Sequence, residues 1–91
     1  MIQRYGVKIW GHVQGIFFRA FIRDHARSLG LTGWVKNLPG GEIEALFEGE
    51  KENIDKMVEL CNAGYSRASV EKMRVSKRKG KRRHKEFQIV R

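Results

Sequence analysis

Apolar and polar residues alternate from Arg4 to Trp10, with Tyr5, Val7 and Ile9 on one side and Lys8 on the other, the period of a β-strand. The spacing then changes. Phe18, Phe21, Ile22, His25 and Leu29 fall three or four apart, which predicts a helix that stops at Gly30. Leu31 to Leu38 reads as a second strand closed by the turn Pro39-Gly40-Gly41. From Glu42 to Gly49, Ile43, Ala45 and Phe47 alternate with Glu42, Glu44 and Glu48, which makes a hairpin partner for the second strand. A second helix is expected from about Glu50 to Ala63, with Ile54, Met57, Val58 and Cys61 on its apolar side. Val70, Met73 and Val75 mark a less regular strand over Ser69 to Ser76, and Glu86 to Val90 closes the chain with another.

The order strand-helix-strand-strand-helix-strand, plus a short final strand, predicts an α+β fold of the ferredoxin-like, split βαβ kind. Two helices then cover one face of a mostly antiparallel sheet. In that topology the first two strands run parallel with the third between them, so their carboxyl ends open on one edge, roughly 10 Å apart. Gly11 to Arg19 leaves one of those ends and Lys36 to Gly41 the other, so the two segments should face each other. The first segment, GHVQGIFFR, contains no Ser, Thr, Cys, Asp or Lys to act as nucleophile or base. It offers instead the unpaired N–H groups and positive end of a helix N-terminus, the backbone freedom of Gly15, and the guanidinium of Arg19. A cation there is electrostatically misplaced unless an anion is bound. Taken alone, the same residues also describe a surface arginine after a glycine turn. Neither the Walker spacing nor the dinucleotide glycine pattern is present.

Composition narrows the setting. Ninety-one residues and 10.6 kDa make one domain, residues 1–91, and a hydrophobic content of 41% excludes wholesale disorder. One cysteine rules out an internal disulfide, the start does not read as a signal peptide, and no apolar run approaches the ~20 residues of a membrane span. A cytoplasmic monomer without membrane attachment is expected. The net charge of +9 is concentrated in Lys77 to Lys85, KRKGKRRHK. That run fits a polyanion-binding segment, or a solvated turn whose charge guards a neighbouring strand edge. His12, His25 and His84 are scattered without companion ligands, so no metal is expected, and His25 belongs to the helix packing face. Glu42, Glu44 and Glu48 read as a solvated strand face, and Cys61 as core filling.

Gly11-His12-Val13-Gln14-Gly15-Ile16-Phe17-Phe18-Arg19 resembles the first signature of the acylphosphatases. Gly33-Trp34-Val35-Lys36-Asn37, continuing through Gly41, Ile43 and Gly49, resembles their second. The resemblance spans the chain and implies a small, free-standing hydrolase that needs neither metal nor cofactor. Such an enzyme cleaves the carboxyl–phosphate anhydride of an acyl phosphate, releasing a carboxylate and inorganic phosphate. It implies that Gln14, Gly15, Ile16, Phe17, Phe18 and Arg19 cradle the phosphoryl group and that Asn37 orients the attacking water. The absent nucleophile and acid then make chemical sense, because a carboxylate, with a conjugate-acid pKa near ~4, departs unprotonated. Two departures from the family pattern stand out: Gly64-Tyr65 where a Gly-Pro turn is usual, and the basicity of Lys77 to Lys85. The alternative reading is a small RNA-binding module of the same fold, against which counts the absence of an RNP1-type stretch with stacking aromatics.

Overall fold

The computed structural model describes residues 1–91. The chain runs β1 (Ile2–His12), α1 (Phe18–Ser28), β2 (Thr32–Asn37), β3 (Ile43–Glu50), α2 (Lys51–Glu59), a single π-helical turn (Leu60–Gly64), β4 (Ser69–Arg78) and β5 (Phe87–Ile89). The strands form one sheet in the order β4-β1-β3-β2-β5. β3 pairs antiparallel with both β1 and β2, so those two are parallel, as expected, and β5 adds to β2 in parallel. Ile43 is level with Ile9 on one side and Asn37 on the other, a row that crosses the sheet near the carboxyl ends of β1 and β2.

Alternation along the strands sends Val7, Ile9, Val35, Ile43 and Phe47 to the helix side. Spacing of four along α1 brings Phe18, Ile22 and Ala26 down onto them, with Ile54, Met57 and Cys61 from the second helical segment completing the core. Phe47 and Phe87 stack with ring centroids 5.4 Å apart, which anchors the short β5. His25 lies on the flank of this face, its ring 4.3 Å from that of Phe21. Burial pushes the Cys61 thiol up to about 12, which leaves it a core residue with no thiolate chemistry. No helix is long and apolar enough to cross a membrane.

One expectation fails. Glu48 is not part of a solvated strand face but fully buried. Its carboxylate accepts from Arg4 Nε at 2.8 Å, Thr32 Oγ1 at 2.9 Å, and the main-chain N–H groups of Arg83 and His84 at 2.9 and 3.1 Å. Arg4 also donates to the Lys79 carbonyl at 2.7 Å. The basic run therefore does not hang free as a turn; it is drawn over the far side of the sheet and fastened there. Burial alone would push the Glu48 carboxyl up, but the bonds from Arg4, the Arg83 amide, Thr32 and the His84 amide outweigh it and hold the group below its ordinary value of 4.5.

A carboxyl depressed by folding stabilises the protein above its unfolded pKa, and that contribution disappears as pH falls through the lower folded value. Glu48→Gln leaves the Arg4 charge buried without its counter-ion, so a loss of about 3–5 kcal/mol at neutral pH is expected. Urea unfolding from pH 7 to pH 3 checks both parts, since the gap between variant and native chain should shrink over the acid end.

Candidate active site

After β1 the chain must reverse from strand to helix within Val13 to Phe17. Gly15 does so at φ 74°, and Phe17 sits at φ 63°, the one non-glycine residue of the chain with a left-handed backbone. For a residue with a Cβ that conformation costs about 1–2 kcal/mol. Phe17 gains no compensating burial, since 75% of it is exposed. Its left-handed angles, followed by helical Phe18, form the alternating backbone pair that turns successive N–H groups into an anion-binding concavity. None of the main-chain N–H groups from Gln14 to Ala20 donates to a protein acceptor.

Arg19 is the second residue of α1, a helix with no acidic residue in its first turn. Its guanidinium makes no ion pair and no hydrogen bond within the protein. It lines a hollow of ≈ 260 Å³ together with Val13, Gly15, Phe17, Phe18 and Ile89. A fork of unpaired N–H donors beside a row of unpaired amides suits a tetrahedral oxyanion.

Across the same edge, Asn37 ends β2 level with Ile43. Its Oδ1 is buried and accepts no hydrogen bond; the Oε1 of Glu42, at the start of the next strand, is the other such atom. Asn37 as a residue is only half-buried, so this acceptor is left to solvent rather than to a protein donor. An acceptor of this kind takes a hydrogen bond from water.

The loop and the Asn37 turn are fastened together by a residue whose part was not legible in advance. Both N–H groups of the Gln14 side chain are engaged, with Nε2 2.9 Å from the Leu38 carbonyl and 2.9 Å from the Glu42 carbonyl. What Gln14 offers an anion is therefore its main-chain N–H, while its side chain sets the spacing of the two halves. Behind the loop, the Tyr65 hydroxyl donates to the Ile16 carbonyl, and the Tyr65 ring stacks on Phe18 with centroids 5.5 Å apart. That bond fixes the peptide joining Ile16 to Phe17. The departure at Gly64-Tyr65 was the one sequence signal pointing here.

The chain matches the acylphosphatase family model over residues 5–89. A curated acylphosphatase from Roseiflexus sp. (strain RS-1) is 45% identical over 84 residues, 92% of this chain and 90% of that protein. The crystal structure of acylphosphatase from Bacillus subtilis superposes with a TM-score of 0.93 at 33% identity, covering both chains completely. An acylphosphatase from Coxiella burnetii gives 0.90 at 32% identity over 98% of this chain and 93% of that one. An RNA-binding module gains no support from these relatives.

Proposed function

The chain belongs to the acylphosphatase family and hydrolyses acyl phosphates to a carboxylate and inorganic phosphate, and from that premise we propose which residues carry the step. The phosphoryl group binds in the loop Gln14 to Arg19, its oxygens taking hydrogen bonds from the unpaired main-chain N–H groups and from the Arg19 guanidinium. Water donates one hydrogen to Asn37 Oδ1, which turns an oxygen lone pair toward phosphorus. The new P–O bond forms as the bond to the acyl oxygen breaks, and the carboxylate leaves with the electron pair. The water's remaining proton passes to a phosphoryl oxygen, so no protein base is required. Positioning and charge stabilisation do the catalysis, as is usual for phosphoryl transfer.

The observation that carries this reading is the buried, unpartnered Oδ1 of Asn37 at the end of β2, beside the turn that Gln14 ties to the loop of free amides leading into Arg19. Hydrolysis of benzoyl phosphate in the presence of a metal chelator tests it. Full turnover is expected there, with competitive inhibition by inorganic phosphate and very slow cleavage of an alkyl phosphate monoester, whose alkoxide leaves badly unprotonated. Loss of turnover on chelation overturns the metal-free mechanism.

Tyr65 acts through the loop rather than on substrate. Tyr65→Phe keeps the ring stack and removes one hydrogen bond, a net contribution of about 0.5–1.5 kcal/mol. The inhibition constant for inorganic phosphate should therefore rise roughly two- to tenfold, with kcat less affected. A cytoplasmic monomer is the proposed setting and assembly, supported by a core that closes within one chain; sedimentation at the 10.6 kDa mass tests the latter. The positive charge of Lys77 to Lys85 is proposed to attract anions, polyanions included, in addition to the catalytic role of the opposite edge.

A further inference from the structure

On the side of the sheet turned away from the helices, a second cavity of ≈ 540 Å³ opens over β1 and β3. Gly6 makes its floor. A Cβ on Gly6 would stand 2.7 Å from Arg78 Nη2 and 2.8 Å from Nε, so the Arg78 guanidinium lies across β1 in the space a side chain would fill. Glycine in the middle of a strand weakens it, and its presence here marks that close approach. Arg83 and His84 stand at the rim, held by their main-chain bonds to Glu48. Trp34 and Lys36 form the opposite wall, with Lys36 Nζ 5.1 Å from the Trp34 ring centroid.

Neither Arg78 nor Arg83 meets a carboxylate. Of the carboxylates on this side, Glu48 is consumed by Arg4 beneath the surface, and Glu44, which lines the cavity, lies 3.9 Å from Lys36 Nζ. Two free guanidinium forks thus share a cavity with an aromatic ring, on a face with no part in the hydrolysis.

We infer that this cavity binds a nucleoside polyphosphate, its phosphates on Arg78 and Arg83 and its base against Trp34. Guanidinium forks match phosphate oxygens, and a tryptophan face accepts any base. The volume falls within the range of small-ligand pockets, about 300–1,000 Å³. A free mononucleotide fits better than a strand, because one indole, that of Trp34, lines the cavity, where a strand needs a succession of stacking platforms. The inference deepens the reading of Lys77 to Lys85 as anion-attracting and is independent of the catalytic assignment.

The test uses Trp34 fluorescence. Trp10→Phe leaves Trp34 as the only tryptophan, and Arg19→Ala in the same chain disables the catalytic loop. ADP is expected to quench that chain saturably, with the dissociation constant raised at least tenfold by Arg78→Gln and by Arg83→Gln. Arg78→Gln in the otherwise native chain should keep full benzoyl phosphate turnover. The inference is overturned if ADP fails to quench, if neither glutamine variant changes the affinity, or if equimolar inorganic phosphate displaces ADP. It is equally overturned if a single-stranded oligonucleotide binds tenfold tighter than ADP at the same salt, which would make the face a polymer groove.

Discussion

Arg19→Ala should lower kcat/KM for benzoyl phosphate by a factor of about 10²–10³ or more and abolish inhibition by inorganic phosphate, without weakening the fold. Removing one preorganised donor from a developing oxyanion typically costs about 2.7–4 kcal/mol. Arg19 brings a full charge as well as a donor, and both are uncommitted in the protein, with no ion pair or hydrogen bond to compete with the ligand. Its position also sets the sign of the stability change. A cation in the first turn opposes the helix dipole by about 0.3–1 kcal/mol, and no acidic residue there offsets it. Thermal unfolding in phosphate-free buffer should therefore show Arg19→Ala as stable as the native chain or slightly more so, while added phosphate should raise the midpoint of the native chain alone. Arg19→Lys retains charge and loses the fork, and should recover only part of the affinity. A phosphate inhibition constant unchanged in Arg19→Ala would remove the guanidinium from the site.

The placement of the two halves of the candidate site was legible from the strand and helix patterns. Period-two alternation in Tyr5, Val7, Ile9 and in Ile43, Ala45, Phe47 fixed two faces of two strands, and the switch to helical spacing at Phe18 fixed where the connecting loop had to lie. Once the first and second strands were parallel, Arg19 and Asn37 fell on one edge. Alternation says which side of a sheet a residue faces, however, and not what covers that side. Glu48 obeyed the polar phase of β3 and was read as solvated; it is buried because Arg83 and His84, 35 and 36 residues later, fold over it. The covering run has no alternation to read, so its course was invisible. Side-chain bonds to main-chain carbonyls were hidden likewise. Gln14 reaches Leu38 and Glu42 across 24 and 28 residues, and Tyr65 reaches Ile16 across 49, in contacts set by topology rather than by local pattern.

Asn37→Ala should divide binding from turnover in the opposite way to Arg19→Ala: kcat for benzoyl phosphate falls about 10²-fold or more, while the inhibition constant for inorganic phosphate stays within about twofold. In the proposed step phosphate is held by the amides and the guanidinium on the β1 side, whereas the Asn37 carboxamide, at the end of β2, serves only the incoming water. Without it the water still reaches phosphorus but is no longer aimed, and a misplacement of about 1 Å in a reacting group can by itself lose ~10²-fold in rate. The stability change is again informative. Oδ1 has no donor within the protein, so alanine removes an acceptor that no protein hydrogen bond engages. The expected result is an inactive variant that binds phosphate and unfolds at the same or a higher temperature. A residue kept for turn formation would give the reverse, a destabilised protein with turnover intact, so kinetics and thermal unfolding of this one variant decide between function and structure at position 37.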